Sequence, residues 1–360
     1  MGFSSRASLN DGLLRGTNSL NLLRLCLASL VIVGHAPLQT LGTLENHNVV
    51  LQRIGSIGEV AVSLFFVISG YLILASANRS RLRDYIVSRV LRIYPGYWGS
   101  MLFVAFVAAP LTLLLDPTHS SWKFTDSLSH LVHSWNLFGP GFQWNVGLTP
   151  QSIPIPMVWN GPLWTLRYEL VMYVLLMPFA YVAVLRNHQK AVITGAWVAA
   201  MALTGLDQFT PFVFPVFENF PWLLAYFLSG SMMYVWGDRI PVHRPLSISL
   251  FVVAFVVYFF FPVSLKVILV PLFAMGILCL GVVLRSRFAQ KRDLSYGMYI
   301  YGWPIQQLLL IAGFGVWGIT ANAIATLALS FVFAFLSWTV IEKPALSLKR
   351  TLRKSSVTTS

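Results

Sequence analysis

The chain has 360 residues, of which 56% are hydrophobic and only 10% charged, and its formal net charge is +13. Soluble domains carry about 25% charged residues, so the composition excludes an ordinary soluble globule, and apolar runs of membrane-spanning length recur from end to end. The positive charge invites a nucleic-acid reading, which the placement of the basic residues argues against below.

Residues 1–19 are polar and precede a first apolar span at about residues 20–38. The small residues after its apolar core also fit a cleavable signal peptide, but cleavage would discard Arg24 and His35, so the segment is read as retained. A loop with Glu45, His47 and Arg53 leads to a second span at residues 57–77. A basic stretch follows, with Arg79, Arg81, Arg83, Arg89 and Arg92 against the single Asp84. The third span covers residues 97–115, and residues 116–160 form a polar, aromatic, Pro- and Gly-bearing loop at a membrane surface. Spans four to ten are expected at residues 162–184, 191–206, 219–236, 245–261, 265–284, 294–314 and 316–340. The fold class is therefore all-α, a polytopic membrane protein of about ten transmembrane helices. Residues 1–19 are a cytoplasmic N-terminal segment, 20–343 the membrane domain and 344–360 a cytoplasmic tail.

Ten spans put both termini on one side, and the positive-inside rule chooses the cytoplasm. Twenty of the 25 basic residues then fall in cytoplasmic segments: Arg6, Arg15, the five arginines from Arg79 to Arg92, and those within 186–190, 239–244, 285–292 and 343–354. Arg53, Lys123 and Lys266 fall outside, and Arg24 and Arg167 lie in or near spans. Topology thus explains the positive charge, and no nucleic acid is needed. Cys26 and Cys279 lie inside apolar runs and read as small packing residues. No His, Cys, Asp and Glu cluster has metal-ligand spacing, so no metal is expected.

Arg24 and His35 are eleven positions apart in the first span, close to three helical turns, and so face one side with a rise of about 16 Å between them. Charge is costly in lipid, which makes both functional candidates. The plainer alternative is an interfacial Arg that snorkels and a His at the outer end. Glu59 in the second span and Trp164, Arg167 and Glu169 in the fourth fall toward the outer side, as His35 does. A His beside a carboxylate is the arrangement of a general base with its orienting partner, while simple solvation at the headgroups is the alternative, fitting Glu59 better than Glu169. Arg89 and Arg92 are one turn apart and suit a phosphate-bearing ligand or, equally simply, anionic headgroups. Trp135, Trp144 and Trp159 suit sugar stacking or an interfacial aromatic belt. His119, His130 and His133 read as surface residues, and Glu342 as the ion-pair partner of Lys343.

Six stretches in order carry a resemblance. They are Arg24 and His35, Gly58-Glu-Val-Ala-Val-Ser-Leu-Phe-Phe-Val-Ile-Ser-Gly-Tyr71, Arg89-Val-Leu-Arg92-Ile-Tyr-Pro95, Gly161-Pro-Leu-Trp164-Thr-Leu-Arg-Tyr-Glu169, Leu294-Ser-Tyr-Gly-Met-Tyr-Ile-Tyr-Gly-Trp303-Pro304, and Ser337-Trp-Thr-Val-Ile-Glu342-Lys-Pro344. Together they resemble the acyltransferase 3 family, integral-membrane acyltransferases of extracytoplasmic sugars and related acceptors. The chain departs from that pattern in two ways. Many members have His before the ninth-span Trp-Pro, where this chain has Gly302, and many carry a soluble C-terminal domain, whereas this chain stops soon after its last span.

The resemblance implies a bacterial inner-membrane O-acyltransferase. It would move an acyl group, acetyl by preference, from cytoplasmic acyl-CoA to a saccharide hydroxyl on an exopolysaccharide, O-antigen or lipo-oligosaccharide. It implies catalytic roles for His35 and Glu169, donor binding by Arg24, Arg89 and Arg92, and acceptor binding by Trp164, Arg167 and Glu59. The lipid bilayer, acyl-CoA and the saccharide are the expected partners, with a homo-oligomer compatible and nucleic acid not expected. A flippase for a lipid-linked saccharide would use similar spans, but no paired repeat with broken helices is apparent. A non-catalytic assembly subunit is the third reading, kept open by Gly302.

Overall fold

A computed structural model describes residues 8–15, 18–45, 47–139, 141–207, 219–260, 266–284, 286 and 292–355. Arg6, Arg285, Arg287, Lys291, the span ends at Phe261 and Leu265, and the tail after Ser355 lie outside them. The described fold is all-helical. Helix α1 spans Leu20–Leu41, α2 Val49–Asn78, α3 Leu82–Phe103, α4 Ala109–Leu115 and α5 Phe124–His133. Then come α6 Trp164–Tyr181, α7 Ala183–Asn187, α8 Gln189–Asp207, α9 Phe220–Trp236 and α10 Arg244–Phe260. The last are α11 Lys266–Val283, α12 Ser295–Ile311, α13 Gly318–Ser337 and α14 Lys343–Ser355.

Among the described residues, the apolar spans read from the sequence fall on these helices, since backbone polar groups in lipid must be satisfied within their own segment. Among the described residues, five helical stretches are long and apolar enough to cross a membrane: Leu20–Leu41, Val49–Asn78, Leu82–Leu115, Gly161–Tyr181 and Phe314–Lys349. The protein is a multi-pass membrane protein. Two features depart from expectation. Helix α3 begins inside the basic stretch, and the long loop contains the short helix α5.

The chain divides into two compact units. Unit one comprises residues 1–24, 62–85 and 168–291. Here α8 packs on α9, α10 on α11, and α9 on α11. Backbone meets backbone where α2 crosses α9: a Cβ on Gly70 would lie 1.8 Å from the Phe227 carbonyl oxygen, and one on Gly230 1.9 Å from that of Val67. Only glycine permits this approach, and Ser231 Oγ seals it by donating to the Gly70 carbonyl at 3.0 Å.

Unit two comprises residues 25–61, 86–167 and 292–360. Helix α12 packs along α13. Between α3 and α4 lies a π turn, Val104–Ala108, in which the Ala109 N–H reaches back to the Val104 carbonyl. The Ala105 carbonyl thereby loses its ordinary helical donor. Ser127 Oγ on α5 replaces it at 2.5 Å, and Trp122 Nε1 donates to that hydroxyl at 2.9 Å. Val104, Ala108 and Ala109 form a core with Val146 and Trp159 of the long loop. The loop is thus part of the packed unit, not a solvated strap.

Candidate active site

In unit two, His35 lies on α1 where that helix passes close to α2. A Cβ on Gly34 would stand 2.5 Å from the Gly58 nitrogen, and one on Gly58 would come within 4.0 Å of His35 Cε1. The imidazole meets the Trp303 ring edge-on, with centroids 5.1 Å apart and planes at 77°. Trp303 is fixed in turn: its Nε1 donates to the Val158 carbonyl at 3.0 Å, and a Cβ on Gly161 would stand 3.0 Å from its ring. Gln307 Nε2, one turn on, donates to the Ile155 and Val158 carbonyls at 3.0 Å each. Asn160 Nδ2 donates to Ser100 Oγ and the Ile300 carbonyl at 3.0 and 2.9 Å. Among the described residues of this unit, no hydrogen bond engages either ring nitrogen of His35. The arrangement orients an imidazole by packing and leaves its nitrogens open to exchange a proton with a bound hydroxyl.

Arg92 has the opposite surroundings. Its guanidinium lies 2.5 Å from Asp293 Oδ2 and 3.8 Å from Glu342 Oε2, and over the Tyr296 ring at 5.6 Å. Ser295 Oγ donates to Asp293 Oδ1 at 2.5 Å. Ser337 Oγ donates to Glu342 Oε1 at 3.0 Å. A π turn, Trp338–Glu342, brings these last two residues onto one side of the chain. This corrects the expectation that Glu342 pairs with Lys343: the extra residue in the turn directs the carboxylate inward to Arg92 and leaves Lys343 exposed. Arg89 lies on the same helix, with Nε 3.4 Å from Ser88 Oγ.

The remaining residues of unit two divide by exposure. Arg167 stacks over Phe142 at 4.7 Å and Trp144 at 5.5 Å. Trp164 is half-buried and Glu59 exposed. Trp159 is fully buried, its Nε1 donating to Thr149 Oγ1 at 3.0 Å, so it belongs to the core and offers no face to a sugar or a membrane interface. Trp135 is exposed. His119 and His133 are exposed, but His130 is buried, with Nδ1 3.1 Å from the Asn145 carbonyl oxygen, because α5 packs its inner face onto the π turn of α3. Burial lowers the His130 pKa from 6.5 to about 4.

In unit one, Glu169 is half-buried on α6. Its Oε1 accepts from Ser69 Oγ at 3.2 Å and from the Tyr173 hydroxyl. Arg24 lies over the Phe65 ring at 5.9 Å. Sequence reasoning did not single out Ser69, Tyr173 or Asp293. Tyr173 was within reach, one helical turn beyond Glu169. Ser69 and Asp293 reach their partners from 100 and 201 positions away, which no local pattern reveals.

Gly302, which stands where many family members carry His, packs against α1: a Cβ there would lie 2.7 Å from Ile32 Cγ1 and 4.0 Å from Ser330 Oγ. Ile32 fills the space that a larger side chain at this position would enter.

Comparison with known proteins gives a family. The Acyl_transf_3 model, described as an acyltransferase domain, matches residues 17–342. Nodulation protein 10 of Rhizobium leguminosarum bv. viciae is 28% identical over 370 residues, covering 93% of this chain and 95% of that protein. The O-acetyl transferase of Shigella phage Sf6 is 27% identical over 308 residues, covering 80% of this chain and 85% of that protein. No solved structure matches.

Proposed function

The chain belongs to the acyltransferase 3 family, and from that premise we propose that it is an O-acetyltransferase that uses acetyl-CoA to modify a saccharide hydroxyl. The observation that carries the reading is His35 itself, an imidazole on an apolar helix, oriented by Trp303 and with its ring nitrogens open. The similarity to the O-acetyl transferase of Shigella phage Sf6 supports acetyl as the group moved.

In this scheme His35 is the general base. It takes the proton of the acceptor hydroxyl as that oxygen attacks the thioester carbonyl. The C–O bond forms, the C–S bond breaks, and the proton passes to the departing thiolate. Glu169, held by Ser69 and Tyr173, orients the imidazole or the acceptor. Arg24, Arg89 and Arg92 serve the donor, with the arginine pair as a cationic face for its phosphates. Arg167, Trp164 and Glu59 serve the acceptor. Ten spans, cytoplasmic termini and a bacterial inner-membrane location complete the reading, supported by the 20-to-3 split of basic residues between the two sides.

The test is acyl transfer from radiolabelled acetyl-CoA in membranes carrying wild type or His35→Ala at equal insertion. Label is expected in a saccharide fraction for wild type, with a loss of about 10²–10⁴-fold in the variant. Equal labelling by both moves the chemistry away from His35. Absence of label with every acceptor contradicts the assignment.

A further inference from the structure

Unit one contains a cavity of about 470 Å³ that none of the residues in the acyl-transfer scheme lines. Its volume lies within the range of small-molecule sites. Its less exposed side is a fixed amide surface. Asn78 and Gln189 pair reciprocally, Asn78 Nδ2 donating to Gln189 Oε1 at 2.8 Å and Gln189 Nε2 to Asn78 Oδ1 at 3.0 Å. Asn10 is held by the Tyr71 hydroxyl, which donates to its Oδ1 at 2.6 Å, and by its own donation to the Tyr234 carbonyl at 3.2 Å. The exposed rim carries Arg186 and Lys190 against a single carboxylate, Asp238. Lys190 is steadied over the Trp236 ring at 5.2 Å, and Arg239 lies over the same ring at 5.1 Å.

We propose that this cavity binds a hydroxyl-bearing phosphate ester. The cations outnumber the carboxylate, which calls for an anion, and guanidinium with ammonium suits phosphate oxygens. Asp238 disfavours a bare polyanion and accepts a hydrogen bond from a hydroxyl beside the phosphate. The Asn78 and Gln189 amide nitrogens are spent on each other, on the Tyr234 hydroxyl and on the Phe179 carbonyl, so their oxygens offer further acceptors to ligand hydroxyls in positions set before binding, which lowers the ordering cost. Two sources carry this chemistry, the ribose phosphate of a soluble nucleotide and the glycerol phosphate head of an anionic lipid.

The experiment uses the purified full chain in phosphatidylcholine nanodiscs, with two probes. One arm measures binding of radiolabelled ADP by equilibrium dialysis. The other adds phosphatidylglycerol to the discs and measures retained lipid by native mass spectrometry. Wild type is expected to bind one probe saturably, and the arm that responds identifies the source. Arg186→Gln with Lys190→Gln should weaken that binding about tenfold or more, the loss expected for removing charge-assisted hydrogen bonds. Asn187→Trp, which fills the cavity without removing a charge, should weaken it likewise. Binding of neither probe by wild type overturns the proposal, as does full binding by both variants. Loss in the charge variant with full binding by Asn187→Trp assigns the effect to surface charge and also overturns the cavity. None of these readouts depends on acyl transfer, so failure here and failure of the acetyltransferase reading are distinguishable.

Discussion

Two ionisable groups of unit two, His35 and Arg92, stand in contrasting settings. His35 is held by shape alone, between a glycine-lined crossing of α1 with α2 and the edge of Trp303. Arg92 is held by charge, with Asp293 at 2.5 Å, Glu342 at 3.8 Å and serine hydroxyls behind both carboxylates. A group positioned by packing keeps its polar atoms for a ligand, whereas a group positioned by ion pairs spends them on the scaffold. The difference predicts that loss of the His35 imidazole is felt first in chemistry and loss of the Asp293 carboxylate first in the fold.

The largest effect is expected at the ion pair. Asp293→Asn removes the nearer of the two carboxylates that face the largely buried Arg92 charge, so stability should fall, by up to about 3 kcal/mol. Thermal melting in detergent reads this, and the exchange Arg92→Asp with Asp293→Arg should recover part of the loss. Recovery by the exchange would mark a mutual lock, and a melting point unmoved by Asp293→Asn would remove the contrast altogether.

Next in size is Gly302→His, which places an imidazole before Trp303. Overpacking against Ile32 should cost about 1–3 kcal/mol. Adding Ile32→Ala should relieve it, because Ile32 Cγ1 is the nearest obstruction at 2.7 Å. Equal melting of the single and double variants would show that Ile32 is not what excludes the larger side chain.

Trp303→Phe keeps an aromatic edge against His35 but removes the donor to Val158, at a net cost of about 1 kcal/mol. Acyl transfer should fall by more than this small loss of stability explains, since the ring orients the imidazole. Transfer at the wild-type rate would show that packing of His35 does not depend on the Val158 tether.

The mildest effect concerns pH. With its pKa lowered from 6.5 to about 4, His130 is neutral in the fold. Above pH 6.5 both folded and unfolded chains are neutral at this site and its contribution to stability is complete. As pH falls from 6.5 toward 4 the unfolded chain takes up a proton that the folded chain excludes, so stability declines. His130→Asn should flatten that decline in melting point between those values.

The helices were legible because an apolar run of spanning length has few alternatives, and the described parts of these runs are helical. Less legible was α5, a short amphipathic helix whose ten residues lie among loop signals. The extension of α3 into the basic stretch was hidden because arginines read as a surface connection, although they are good helix formers. At the site, His35 stood out by being a titratable group on an apolar face. What held it did not, since Trp303 is distant in sequence. The partners of Arg92 and the burial of His130 and Trp159 escaped for a related reason. Each depends on a π turn or a folded loop, and neither leaves a periodic trace in the sequence.

The central claim, that His35 serves chemistry while the Asp293 and Glu342 carboxylates that hold Arg92 serve the scaffold, is tested most directly by measuring melting and acetyl transfer side by side for His35→Ala and Asp293→Asn. The account predicts that His35→Ala melts as wild type does but has lost transfer, and that Asp293→Asn melts early and loses transfer only in proportion to unfolded protein. A His35→Ala protein that melts as early as Asp293→Asn and still transfers label at the wild-type rate would contradict it.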